Sequence, residues 1–503
     1  MRKKIWLSIV MLIVSIPTFA GGYLTNTNQN IVFLRNLARD GAIGIDGVYS
    51  NPAGVIFLPQ GFHLSLNIQN AHQTRTVLTT SPYFPMGVQN NGLNTKEFEG
   101  VADAPVLPSI QAAWNKGNWS LQFGFGVVGG GGKCEFENGL GSFENVVGQI
   151  ASKLTSLGST GYDVDGYMKG RQYYYGFTFG AAYKVAENFS VYGGMRMLYG
   201  SASYQAKLAD IKVNTNQGLV PFDKFIDQAD FTVTGNIAKV DDGIAQVEAG
   251  IKQYEAAGAP VPENLTQKLA ELQATKKTLQ GAKEQINMLE PYREGVNLMS
   301  DQTGWGVAPI IGVDFKTGKF NFAAKYEFKT RMRMKNKSTV KEASIIPAIN
   351  KFRDGSSVAE DSPAMLTAGV QYEALPTLRF MAGYHHFFDV DTKQWTKEML
   401  GDSNEYLLGA EWDVNKFLTV SAGGQRTAYN NKDAGMNDMS FNVSSYSYGL
   451  GVCLNVAKNI KVNAAYFQTL YDDYNKVTST SPLVSDTFTR TNRVFGVGVD
   501  FTF

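Results

Sequence analysis

From about residue 61 to the C-terminus, apolar and polar residues alternate with a period of two, in runs long enough to be strands. WSLQFGFGV sets Trp119, Leu121, Phe123, Phe125 and Val127 against Ser120, Gln122, Gly124 and Gly126. KFNFAAKYEFKTRMRM sets Phe320, Phe322, Ala324, Tyr326 and Phe328 against Asn321, Ala323, Lys325, Glu327, Lys329, Arg331 and Arg333. The last run, RVFGVGVDFTF, sets Phe495, Val497, Val499, Phe501 and Phe503 against Gly496, Gly498, Asp500 and Thr502. Runs of this kind build either a soluble sandwich, apolar face inward, or a membrane barrel, apolar face outward.

The joins between runs separate the two. KGN, VAEN, KTGK, ALPT, VNK and VAKN are tight turns, and each alternates with a longer join. A meandering barrel with turns on one rim and loops on the other predicts that rhythm; Greek-key crossovers do not. The fold class is therefore all-β, a transmembrane antiparallel barrel of about fourteen strands over residues 59–503. Among the expected strands are 105–116, 118–130, 303–316, 319–336 and 438–456.

The longest join, 205–302, falls on the extracellular side if the N-terminus and the tight turns face the periplasm. Ile237, Val240, Ile244, Val247, Ile251 and Tyr254, then Leu265, Leu269, Leu272, Leu279, Ile286 and Leu289, recur at steps of three and four. AAGAPVPEN breaks them, which predicts a helical hairpin over about 237–290. Two readings stand: a hairpin packed on itself, or a docking surface for another cell-surface protein.

The N-terminal residues add two features. Arg2, Lys3 and Lys4, the apolar run Ile5–Ile16 and the small residues near Ala20 predict a secretory signal over 1–20. Between it and the first strand, residues 21–58 contain NIVFLRNLARDGAI, with helical spacing, and then SNPAG. A turn flanked by small and apolar residues is out of place on a surface. It fits a segment folded into the lumen as a plug.

GAIGIDGVYSNPAG ahead of such an alternation resembles the hatch of the FadL/TodX family of outer-membrane transporters for hydrophobic compounds. Asn51, Pro52 and Ala53, followed by Gly54, match that family's Asn-Pro-Ala motif and are the plug or gate candidates. The resemblance implies a monomeric, plugged barrel in the outer membrane of a Gram-negative bacterium, carrying long-chain fatty acids or similar molecules. It also implies release through a gap beside an interrupted third strand. Here the third strand runs into Gly129, Gly130, Gly131 and Gly132, compatible with a lateral opening and equally with a flexible loop entrance.

Composition narrows the remaining chemistry. A net charge of +1 gives no reason to expect nucleic acid, and two cysteines, Cys134 and Cys453, in unlike contexts read as free thiols. GFGVVG lacks the following helix of a dinucleotide fingerprint, and GGGGKC lacks the residues of a phosphate loop. His385 and His386 are neighbours on a strand and point to opposite faces, so no metal site is expected. No cofactor and no catalytic residues are expected either.

On the lumen parity, Lys325, Glu327, Lys329, Arg331 and Arg333 line the interior, where charge is tolerated. They form either a network with plug residues such as Arg35 and Asp40, or a place where a cation meets the carboxylate of an amphipathic ligand. Arg196, Lys325 and Arg331 are the candidates for that second role. The expected function is passive uptake of a hydrophobic molecule, with lipid and the ligand as partners. The alternative is a plugged barrel that displays the 205–302 hairpin for adhesion or protein interaction.

Overall fold

A computed structural model describes residues 25–341, 347–394, 396–477 and 483–503. The expected signal at 1–20, and residues 21–24 of the expected plug, lie outside the described residues. The chain forms a closed, antiparallel 14-strand barrel. Its strands are β1 (Gly61–Thr80), β2 (Thr95–Lys116), β3 (Trp119–Phe136), β4 (Gly161–Ala186), β5 (Phe189–Thr215) and β6 (Val296–Thr317). Then come β7 (Phe320–Glu327, continued as Arg333–Ser338), β8 (Ser357–Ala359, continued as Met365–Leu375), β9 (Leu378–Phe387) and β10 (Ser403–Asp413). β11 (Leu418–Ala428), β12 (Ser445–Ala457), β13 (Ile460–Tyr471, continued as Tyr474–Val477) and β14 (Ser485–Thr502) complete the wall. β14 closes onto β1 from His63–Thr502 to Thr80–Ser485. A short strand, Gly218–Pro221, folds back on the tip of β5.

The outward face is apolar: Ile68, Leu121, Met195, Ile311, Leu408 and Val497 are all exposed. Two aromatic collars bound it. Phe62–Phe503, Trp119–Tyr183 and Phe320–Tyr372 lie near the tight turns. Tyr199–Trp305, Tyr326–Phe328 and Tyr384–Tyr406 lie farther out. Phe320 and Phe328, just past the end of the first part of β7, are about 26 Å apart along the chain, or about 20 Å in height at the usual strand tilt, close to that of a membrane-facing band. β1, β2, β4 and β5 continue far beyond the outer collar and carry the wall out past the band.

Residues 25–42 are almost wholly buried inside the barrel. The helical pattern read there yields only α1 (Ile31–Arg35), capped by Asn30, whose Oδ1 accepts from Val32 N at 2.7 Å. The helix stops because the chain turns extended at Asn36 and runs against the wall instead. That wall is bare where the segment passes. A Cβ at Gly369 would strike Asp40, at Gly423 the Leu37 amide, at Gly449 the Leu34 carbonyl oxygen, and at Gly496 the Ile31 side chain. These glycines sit on β8, β11, β12 and β14, with Gly423 and Gly449 directly cross-strand. The high glycine content thus supplies a belt into which the segment packs.

Outside, α2 (Gly141–Lys153) follows β3, and the long insertion forms α3 (Phe222–Ala256) and α4 (Glu263–Leu289). The helices begin earlier than the heptad spacing indicated, because Phe222, Phe225, Ile226 and Ala229 form a buried foot with Leu154 and Val213. Above the foot the apolar seam is filled by the two helices themselves, and Lys276–Asp241 at 2.7 Å bridges its flank. Because β5 and β6 reach so far out, the insertion spans 216–295 rather than 205–302.

The belt makes a direct prediction. Gly449→Val should expel α1 from the wall, raising single-channel conductance in planar bilayers severalfold while the barrel keeps its heat-modifiable gel migration. Unchanged conductance would mean that the segment does not depend on the belt.

Candidate functional site

The interior changes character from outside to inside. At the outer mouth, α2 buries Phe143, Val147 and Ala151. With the wall and the hairpin foot it encloses an apolar recess lined by Val146, Ile150, Leu208, Ile211, Phe222 and Tyr292. The loop 429–444 folds over the same mouth: Asp438 Oδ2 accepts from Ser142 N, at the start of α2, at 2.7 Å. Burial pushes the Asp438 carboxyl up to about 6. Neither α2 nor this cover was apparent in the sequence, since a short helix containing Gly141 and Gly148 carries weak periodicity.

Below the mouth lies an apolar cluster that includes Met86, Met168, Met332, Met334, Met439, Phe98 and Phe136. Thioethers are polarisable and flexible, so such a core can reshape around a guest. The cluster stops at the N-terminal segment. On the far side is a chamber of about 970 Å³ lined by Arg35, Arg39, Arg379, Glu411, Asp413 and Lys461 among other polar groups. The segment therefore divides an apolar upper lumen from a charged lower one.

The segment is pinned to the wall residue by residue. Asn51 Oδ1 accepts from Gly54 N at 3.0 Å, and its Nδ2 donates to Asp314 on β6 at 2.6 Å and to Ala42 O at 3.2 Å. Pro52 O accepts from Gln122 on β3, and Ala53 O from Ser190 on β5, both at 2.7 Å. Arg35 pairs with Glu411 at 2.6 Å, and Asp40 meets His385 Nε2 at 3.0 Å while His385 Nδ1 meets Glu405 at 2.7 Å.

The candidate ligand cations are placed differently from one another. Arg196 Nη1 is bound to both oxygens of Glu327, at 2.5 and 2.6 Å, and its guanidinium lies 4.9 Å from the centre of the Tyr49 ring. Lys325 donates to Tyr49 O at 2.6 Å. Both therefore hold the luminal segment and are already satisfied. Arg331 and Arg333 are exposed outside the lumen, and Lys329 is half-buried, donating to Asp391 O at 2.6 Å. β7 breaks after Glu327, and pairing to β6 shifts by one residue, from Glu327–Ile310 to Lys335–Thr303. One residue of slip reverses every side chain beyond it.

The glycine run sits at a discontinuity in the wall. β2 and β3 pair at Asp103–Lys133 and again at Ile110–Phe125, with no pairing between. Toward β4, β3 has two irregularities, between Val127 and Gly129 and between Gly129 and Gly132. The unpaired carbonyls are taken up by the N-terminal segment. Asn26 N donates to Val128 O at 2.8 Å, Gln29 Nε2 to Val127 O at 2.9 Å, and Asn26 Nδ2 to Gly130 O at 3.2 Å. From the other edge, Ser109 Oγ and Gln111 Nε2 donate to Gln29 O. Tyr49 Oη donates to Asn26 O at 3.0 Å, which joins the Arg196 and Lys325 cluster to this seam. Residues 26–29 were not singled out in the sequence, because polar residues before a helix look like a surface linker.

No family model and no curated protein sequence matches the chain. Solved structures do. A Pseudomonas aeruginosa FadL homologue superposes with a TM-score of 0.61 at 11% identity, covering 96% of this chain and 100% of its own. The Pseudomonas putida toluene transporter TodX superposes with a TM-score of 0.51 at 13% identity, covering 93% of this chain and 96% of its own. The chain therefore has the fold of FadL-type channels.

Removing the Asn51 side chain leaves Asp314 short of a donor and opens the Gly54 turn. Such losses cost about 1–3 kcal/mol each. Asn51→Ala should therefore speed amide exchange across residues 41–58 by roughly tenfold or more, with the strands unaffected. Equal protection in mutant and wild type would contradict the pinning role.

Proposed function

We propose that this chain belongs to the FadL/TodX family and is a passive outer-membrane channel for small hydrophobic or amphipathic molecules in a Gram-negative bacterium. The observation that carries the reading is the match between an apolar, methionine-rich upper lumen and a wall gap whose free carbonyls are bonded by residues of the luminal segment. The name of TodX as a toluene transporter supports the class of cargo, and aliphatic acids of fatty-acid length fall in the same class.

The cargo enters the apolar recess at the mouth, transfers to the methionine cluster and reaches the plug. Continuing straight down would place it in the charged chamber, at a cost of about 25 cal/mol for each Å² of apolar surface that stays wet. The lateral route avoids that cost. Val127 is opposite Tyr175, which stacks on Tyr199 of the outer collar, so the gap lies level with the outer leaflet. Ala102–Cys134 and Asp103–Lys133 form the last rungs before the gap, and Ala102 and Cys134 belong to the apolar cluster. When residues 26–29 withdraw, the cargo passes between β2 and β3 into lipid. No covalent step and no cofactor are needed, and one barrel contains the whole route.

The hairpin's role in this reading is accessory. Most of its seam is half-buried between the two helices, and Phe231, Tyr254 and Met288 are its exposed large apolar residues rather than a bare stripe.

Deleting Gly130 and Gly131 removes the two residues that β3 has in surplus over β4 and leaves β2 with one extra residue, which a single bulge absorbs, so the wall can pair across the gap. Accumulation of a radiolabelled apolar compound by expressing cells should fall to background while surface barrel levels hold. Undiminished accumulation would exclude the lateral route.

A further inference from the structure

The slip in β7 turns a row of cations outward. Arg331, Arg333, Lys335 and Lys337 are exposed on the outer face, alternating with buried Met332, Met334, Asn336 and Ser338. Arg333, Lys335 and Lys337 are successive outward positions of one strand, about 7 Å apart. None of the four side chains forms an ion pair or donates a hydrogen bond among the described residues. Two acids border the row. Asp301 on β6 is the register partner of Lys337, and Asp354 is committed to Lys341 and to Ser338 N, each at 2.9 Å. Elsewhere on the outer face charge is paired: Arg426, cross-strand from Tyr406 of the outer collar, meets Asp472 at 2.9 Å. Cations set this close repel one another, and an anion laid across them relieves the repulsion.

Their height identifies the anion. The register that joins Thr303 to Lys335 sets Trp305 of the outer collar beside Arg333, and Phe328 precedes Arg331 by three residues. Beneath them the outward face carries Val307, Ile311 and Phe322, all exposed on the membrane-facing band. In an outer membrane the row therefore stands among the head groups of the outer leaflet, and the wall separates it from the lumen. The rung through Lys337 continues round the wall as Asp301, Ser203 and Arg171. Arg171 is exposed and in no ion pair among the described residues, so it is a second cation at that level, three strand spacings or about 14 Å away.

We propose that this row and Arg171 form an outward-facing site for a phosphorylated glycolipid of the outer leaflet. The arginines take phosphate oxygens through paired N–H groups, and the lysines act as point charges. Asp301, between the two cationic poles, accepts from sugar hydroxyls, and the acyl chains lie against Trp305, Val307 and Ile311. The inference goes beyond the uptake reading and depends only on the outer-membrane placement, so its failure leaves the cargo and its exit untouched.

The test titrates the purified full-length chain, in a neutral detergent, with two probes followed by native mass spectrometry. One probe is an acylated disaccharide carrying two phosphates, and the other is the same lipid with both phosphates removed. Wild type should bind the first about tenfold or more tightly, the scale of charge-assisted contacts. Arg331→Gln, Arg333→Gln, Lys335→Gln and Lys337→Gln combined should erase that preference and leave binding of the dephosphorylated lipid unchanged. Lys239→Gln, Lys252→Gln, Lys268→Gln and Lys277→Gln on the hairpin make the same change in net charge and should leave the preference intact. No preference in wild type, or one that survives the β7 variant, overturns the inference. Loss of the preference in the hairpin variant as well would reduce it to net charge and overturns it too. Displacement of the lipid by an equal concentration of inorganic phosphate would mark a site for free anions and also overturns it.

Discussion

The structure depends on one close approach: the backbone from Ile31 to Gly41 lies directly against wall strands stripped of side chains. Gly369, Gly423, Gly449 and Gly496 leave no room for a Cβ where Asp40, Leu37, Leu34 and Ile31 pass. Chain buried in a lumen must also satisfy its polar groups, and the wall answers with Gln122, Ser190, Asn115 and Asp314. Packing positions the segment, and these bonds hold it in register. The same arrangement brings Asn26 and Gln29 to the carbonyls that β2 leaves unpaired, so the seam between β2 and β3 is closed by the segment rather than by the sheet.

A second constraint is the polarity gradient along the axis. Methionine and phenylalanine fill the upper lumen, and paired charges fill the lower chamber. Arg35–Glu411 and Arg379–Asp413 are ion pairs on the wall of that chamber, and lysines such as Lys461 add to its charge, so it favours water and plug contacts over apolar cargo. Under the proposed uptake function, the gradient and the seam together favour a lateral exit for an apolar molecule. Tyr49 connects the parts: Lys325 donates to its carbonyl, the Arg196 guanidinium lies over its ring, and its hydroxyl donates to Asn26 O, so contacts run from the wall cations to the seam.

Much of the fold was legible in the sequence, because a period of two with short and long joins alternating is a property of the chain itself. The internal helix and the helical hairpin were legible as patterns but not in extent, since tertiary contacts at Asn36 and at the Phe222 foot set their ends. Side-chain parity was legible only as far as Glu327. The slip in β7 carries no sequence mark, and it moved Arg331 and Arg333 outside. Gly129–Gly132 could be seen as irregular, but the loss of pairing to β2 required the partner strand.

In the proposed route, residues 26–29 must leave the seam for cargo to pass. Asn28 Nδ2 and Gln69 Oε1 are 3.1 Å apart, and the native Cys134 and Cys453 are buried, so Asn28→Cys with Gln69→Cys can be bridged by a short bis-methanethiosulfonate, which forms two disulfides with release of sulfinate and is cleaved by a reductant. Accumulation of apolar cargo by cells carrying the bridged double mutant should drop to background and return on cleavage of the bridge, with each single mutant unaffected by the reagent. Full accumulation through the bridged chain would exclude the seam as the exit.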